Sequence, residues 1–204
     1  IRQSGLVLTV GYLIIEAQEV WLRTIDGRVI AGHALAYDQE TGFGLVQAMS
    51  SLDLPVLPFG SSREVAPGDS LIIAGSGGRE GTLAATCTAR QQFAGYWEYW
   101  ISDAIMTAPA HPFWGGAAAI DDQGRLAGIA SLQVEAGDGK QSQSLNMVIP
   151  IDLLPPVLDD LVRTPVCGPD GTIRTRGGYD AATRTWLDPI ADYLPVSDVP
   201  DADE

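Results

Sequence analysis

The chain holds two imidazoles, His33 and His111, and Ser102, Ser131, Ser144, Cys87 and Cys167 among the side chains that could pair with one as a nucleophile. Nucleophilic catalysis needs such a pair within hydrogen-bond reach, with the nucleophile on a strained turn that also presents backbone N–H donors. None of these serines stands in the G-x-S-G type of context that builds this turn. His33 lies in strand-like sequence and reads as a solvated or cross-strand polar residue. His111 precedes Pro112 and reads as a loop histidine bonded to backbone, with a place lining a cleft as its alternative. The run Gly75-Ser-Gly-Gly-Arg-Glu-Gly81 has the glycine content of a phosphate loop but no following Lys-Ser/Thr and no βαβ setting, so it reads as a connection between two barrels. Cys87 and Cys167 fit neither a metal pattern nor a CxxC redox pair; one disulfide and two separate thiols both remain open. The sequence therefore points to no metal and no cofactor.

The elements that would have to position these residues are strands. From Gly5 to about Ala136, short apolar runs are broken by Gly, Asp and Pro without helical periodicity. Strands are expected at Leu6–Val10, Glu19–Ile25, Val29–Tyr37, Gly44–Ala48, Ser70–Ala74, Gly81–Gln91, Ile101–Met106, Ala117–Ile120, Leu126–Val134 and Ser144–Ile149, with turns at Asp26-Gly27, Pro67-Gly68-Asp69 and Asp122-Gln123-Gly124. Short strands at this spacing make an all-β barrel or sandwich. After Pro150 the pattern changes: Leu153, Leu154, Val157, Leu158, Leu161 and Val162 recur at helical spacing, and Pro155-Pro156 fits only a first turn, so one helix starts near Leu154. From Thr164 the chain is rich in Gly, Pro, Asp and Thr, and its last ten or so residues read as a disordered acidic tail.

A formal charge of −14, with Lys140 the single lysine, argues against nucleic acid or an anionic membrane as partner, because binding phosphates requires clustered cations. No run of about 18 uncharged apolar residues is present. The chain opens at Ile1 and enters strand-like sequence within a few residues, from which an upstream segment is expected.

Four segments together resemble the protease domain of the HtrA/Deg family, a trypsin-like double β-barrel. Gly5-Leu-Val-Leu-Thr-Val-Gly-Tyr12 is similar to that family's G-x-I-L-T-N-A-H, which carries the catalytic histidine. Asp26 to Gly42 follows the DGR…D-x-E-T-D segment that ends on the catalytic aspartate. Leu54 to Gly78 resembles LPxLxLGxSxxLxxGxxVxAIGxPxG, and Phe113 to Ser131 resembles the nucleophile segment GNSGGPLxNxxGxVIGI, followed by Asn146-Met-Val-Ile-Pro150 for FAIP. The resemblance spans about 145 residues in order. It implies a first barrel over 1–78 lacking its usual N-terminal strands, a second barrel over 79–150, a C-terminal helix over 151–163 and an irregular acidic tail over 164–204.

Carried over position by position, the resemblance puts Tyr12 at the base, Gly42 at the group that orients it, and Trp114 or Gly115 at the nucleophile. A phenol with a pKa near 10 is a poor base at neutral pH, and glycine neither orients nor attacks. The implied protein is a non-catalytic pseudoprotease that binds protein as a scaffold or regulatory subunit. The alternatives are an active endopeptidase with a displaced nucleophile, and a peptide-binding module whose Gly115 and Gly116 amides take a carboxylate. The loop before the nucleophile position, Ala108 to Trp114, adds two prolines and two aromatics, so His111, Phe113, Trp114, Gly115 and Gly116 form an altered cleft loop. Tyr96, Trp97, Tyr99 and Trp100 are candidate contacts for a protein partner, since aromatic residues dominate binding hot spots. Periplasmic or other exported localisation follows from the resemblance alone, as does compatibility with peripheral attachment to a membrane complex.

Overall fold

Alternation along Leu6–Val10 (β1) buries Leu6, Leu8 and Val10 on one face, as a period of two requires. β1 pairs antiparallel with Phe43–Ala48 (β4), from Leu6 opposite Gln47 to Val10 opposite Phe43. With Val20–Arg23 (β2) and Val29–Tyr37 (β3) these strands make a four-stranded sheet in the order β1-β4-β3-β2. Ser70–Ala74 (β5), Thr82–Ala94 (β6), Trp100–Ala108 (β7), Ala118–Ile120 (β8), Leu126–Ala136 (β9) and Gln143–Pro150 (β10) close into a barrel in the order β10-β7-β6-β5-β8-β9. The computed structural model describes residues 1–2, 5–15, 17–95, 100–137 and 142–163, and the backbone of one further pair of short strands, Tyr179–Asp180 (β11) and Thr185–Trp186 (β12). The ten expected strands are all present, their ends moved by at most three residues.

The two sheets share one plan. In the closed barrel the third strand pairs with the sixth, the sixth with the fifth and the fifth with the fourth; in the first sheet β1–β4, β4–β3 and β3–β2 repeat those three pairings. The first sheet thus carries the pairings of a barrel's third to sixth strands; β1 and β2 stand at its two ends, and the Leu6 end of β1 is bridged back to Arg2. One expected boundary moves. Ser70–Ala74, placed in the first barrel by a division after Gly78, pairs with β6 and β8 and closes the second. Its inward Leu71 and Ile73 join Val65, Cys87, Ile105 and Val148 in that barrel's interior. The second barrel's contacts begin earlier still, where the Leu126 N–H donates to the Pro58 carbonyl at 2.8 Å.

β10 shows why a continuous apolar run is needed between two packed layers. Val148 faces the barrel interior, while Met147 and Ile149 face a second cluster shared with Leu6, Val10, Phe43 and Leu45 of the first sheet. The helix Pro155–Arg163 (α1) adds Leu158 and Leu161 to that cluster, one residue downstream of the expected start. Its prolines occupy the first turn, where a missing N–H costs nothing.

Two polar clasps hold the inter-barrel segment. The Asp152 carboxylate accepts from Ser62 Oγ at 2.8 Å, Ser61 Oγ at 3.1 Å and the Arg63 N–H at 3.1 Å. Burial pushes this carboxyl up, but the donors from Ser62, Ser61 and Arg63 outweigh it and leave it below the usual range. Arg90 donates to Asp103 at 3.0 and 2.5 Å, to the Val65 carbonyl at 2.9 Å and to the Ser62 carbonyl. The Arg90 hydrogen bonds hold the Asp103 carboxyl below its ordinary value.

Candidate functional site

Tyr12 sits on the tight turn Gly11–Leu13 that follows β1, and its O–H donates to the Ser131 carbonyl on β9 at 2.5 Å. This bond joins the two barrels through residues 119 apart in sequence. Gly42 lies in the β3–β4 turn with φ of +80°. Its N–H donates to the Asp38 carbonyl, and its own carbonyl accepts the Gly11 N–H, both at 2.8 Å. The turn is set by the Asp38 carboxylate, which accepts from the Thr41 N–H at 2.9 Å and Thr41 Oγ1 at 2.7 Å. Any side chain at Gly42 would have to adopt a left-handed backbone.

Gly115, one of the two residues that the resemblance aligns with the nucleophile, lies beside Tyr12. A methyl group placed on it would sit 3.5 Å from Tyr12 Oη, and Gly115 is exposed. Trp114 is partly buried, packs against the barrel interior, and its carbonyl accepts the Ala117 N–H at 2.9 Å. The fold thus brings Tyr12, Gly42 and Gly115 to one place, Gly42 through its bond to the residue before Tyr12. The two inserted aromatics divide: Trp114 fills space inside, whereas Phe113 is 64% exposed.

The loop that carries them is fastened by His111, which is only 3% exposed. The cleft-lining alternative for this residue is corrected: it is enclosed. Its N–H donates to Asn146 Oδ1 at 2.6 Å, and its ring Nδ1 accepts the Phe113 N–H at 3.0 Å. With Nδ1 an acceptor, the neutral ring carries its proton on Nε2, which donates to the Gly81 carbonyl at 3.0 Å. The Phe113 ring stands edge-on to it, centroids 6.2 Å apart.

Gly116 also departs from expectation. Its amide, expected to be available to a carboxylate, donates to the Ala130 carbonyl at 2.9 Å. With φ of +77° and Thr9 Oγ1 only 2.7 Å from where a Cβ would lie, the position admits glycine alone. Thr9, Leu13 and Asn146 belong to the site without having been singled out. Leu13 is 46% exposed and comes within 3.6 Å of a methyl position on Gly115. Thr9 and Leu13 flank Tyr12 in sequence, but Asn146 had no local signal, since its partner is 35 residues away.

The other candidates scatter. Ser102 is exposed on β7, Ser131 is fully buried, and Ser144 donates to the Glu135 carboxylate on the β9–β10 hairpin. His33 lies on β3 opposite Gln47, half-buried. Gly75 to Gly81 connects β5 to β6 within one barrel, not one barrel to the other; the Gly75 N–H donates to the Gly81 carbonyl at 2.9 Å. Burial pushes the Cys87 thiol up, and its side chain is fully enclosed in the second barrel. Cys167, and with it the disulfide, lies outside the described residues, as do Tyr96, Trp97 and Tyr99; Trp100 is 57% exposed. No group of three or more His, Cys, Asp or Glu among the described residues could hold a metal ion.

The trypsin-like peptidase domain, as a sequence family, matches residues 1–129. The serine endoprotease DegS of Salmonella typhimurium is 25% identical over 168 residues, 79% of this chain and 46% of that protein. DegS of Escherichia coli is 24% identical over the same length, again covering 46% of the relative. The chain therefore spans about half the length of the curated relatives it matches. Among solved structures, an HtrA-type protease AlgW with decapeptide superposes with a TM-score of 0.66 at 22% identity, covering 80% of this chain and 50% of that one. A serine endoprotease from Yersinia pestis gives 0.61 at 21%, covering 80% of this chain and 56% of that one. The chain belongs to the trypsin-like peptidase family, with the two-barrel fold of the HtrA-type serine proteases.

Proposed function

We propose that this trypsin-like domain is non-catalytic and acts as a protein-binding scaffold or regulatory subunit. The observation that supports the reading is the closeness of Tyr12, Gly42 and Gly115, the residues that the resemblance aligns with base, orienter and nucleophile. In serine proteases the oxyanion is held by the N–H of the nucleophile and of the residue two before it. The corresponding amide here, that of Phe113, is already bonded to His111. Base, orienter, nucleophile and one oxyanion donor are therefore absent at once. Exposed Phe113, Leu13 and Trp100 support binding in place of cleavage, since aromatic residues anchor interfaces. Export to the periplasm goes with this reading through the family resemblance; no helix of the described residues is long and apolar enough to cross a membrane.

Incubation with unfolded β-casein tests the loss of cleavage. Intact substrate after prolonged incubation at equimolar protein is expected, and fragments cut at reproducible sites would overturn the reading.

A further inference from the structure

The geometry points to His111 as a proton-operated latch on the loop that displays Phe113. The loop is held at this residue by three hydrogen bonds, and two of them use the ring. The Phe113 N–H needs the lone pair of Nδ1; the Gly81 carbonyl needs the proton of Nε2. Only the neutral ring in one tautomer serves both. A second proton must go onto Nδ1, where it faces the Phe113 N–H, so acceptor becomes donor and the two groups repel. Turning the ring does not relieve this, because a doubly protonated imidazole has no acceptor nitrogen left to offer. A Cβ on Gly75 would lie 2.8 Å from His111 Cε1, so the ring already fills the space over that glycine.

Among the described residues, the ring meets uncharged partners. It is faced by the Gly81 carbonyl, the Gly75 backbone, the Phe113 N–H and ring, and Asn146, whose Oδ1 is taken by the His111 N–H and whose Nδ2 finds no partner there. Arg79 and Glu80, ahead of Gly81, are exposed; Cys87 on β6 lies in the barrel interior with its thiol toward the Ala89 carbonyl. Glu135 on β9 is engaged by Ser144. Protonation of His111 therefore releases the Phe113 amide and moves the aromatic tip, while the barrels stay folded. The latch operates whether or not the cleft binds a partner.

Because the chain has two histidines, imidazole NMR separates His111 from His33 without ambiguity. In the latched state the His111 nitrogens should show the Nε2–H tautomer. As pH falls, its protonation should coincide with a rise of about ten-fold or more in Phe113 amide exchange, corrected for intrinsic pH dependence, with β9 and β10 amides still protected. His111→Asn keeps an acceptor near the Nδ1 position and takes no proton, so its Phe113 exchange should lose that step. Should this variant not fold, the coincidence of the two midpoints in the native protein decides alone. The latch is overturned if His111 stays neutral until the barrel unfolds, if it protonates while Phe113 exchange is unchanged, or if the Asn variant keeps the step.

Discussion

Gly128→Ala will unfold or severely loosen the second barrel, with an expected loss of about 3 kcal/mol or more, because the new Cβ meets backbone that cannot yield. That atom would lie 2.4 Å from the Ile149 carbonyl oxygen and 2.6 Å from Val148 Cγ1. Relief requires β10 to move away from β9, and Ile149 and Val148 serve the two core clusters on opposite faces of that strand. The site would suffer with the core. β9 supplies the carbonyls that hold Gly116 and Tyr12, and β10 supplies Asn146 to the His111 loop. Gly124→Ala is the matching control: its φ of +76° imposes strain, but a Cβ there meets nothing within 4 Å, so about 1–2 kcal/mol is expected. Chemical denaturation of both variants measures this, and equal losses would show that the β9–β10 contact had been misjudged.

Tyr12→His, which on the proposed reading would return an imidazole to the base position, should cost about 1–3 kcal/mol and, on that reading, yield no base. It removes the O–H that reaches the Ser131 carbonyl across the barrels and the part of the ring packed against the shared apolar cluster. The imidazole that replaces it would find Gly42 without a carboxylate to orient it and Gly115 without a hydroxyl to deprotonate. Tyr12→Phe separates the two contributions, since it keeps the ring and loses only the hydrogen bond; about half the effect is expected. Thermal denaturation reads both, and a Tyr12→His protein as stable as the native one would mean that the inter-barrel bond contributes little.

Strand positions were legible in the sequence because each barrel strand alternates or runs apolar between turn residues, and the helix because two prolines and a leucine stripe mark its start and buried face. Topology was not. The assignment of Ser70–Ala74 depends on pairing with β8, almost fifty residues on, and nothing in its own five residues encodes that. The residue types proposed for the triad positions were visible, but the closeness of Gly115 to Tyr12 was not. The fastening of Phe113 was invisible for the same reason: Asn146 and Gly81 lie far from His111 in the chain. Aromatic residues in a loop likewise do not announce which will be buried. Trp114 packs against the barrel interior while its carbonyl closes a turn onto Ala117, and Phe113 is exposed while its amide bonds to His111.

The most direct test of the central claim is covalent labelling with a fluorophosphonate, read by intact-protein mass. An activated serine in any arrangement, displaced or not, attacks this phosphorus and adds its mass. The native protein should gain no mass under conditions that label an HtrA-type protease completely. A single stoichiometric adduct mapped to a serine would establish a working nucleophile and contradict the account.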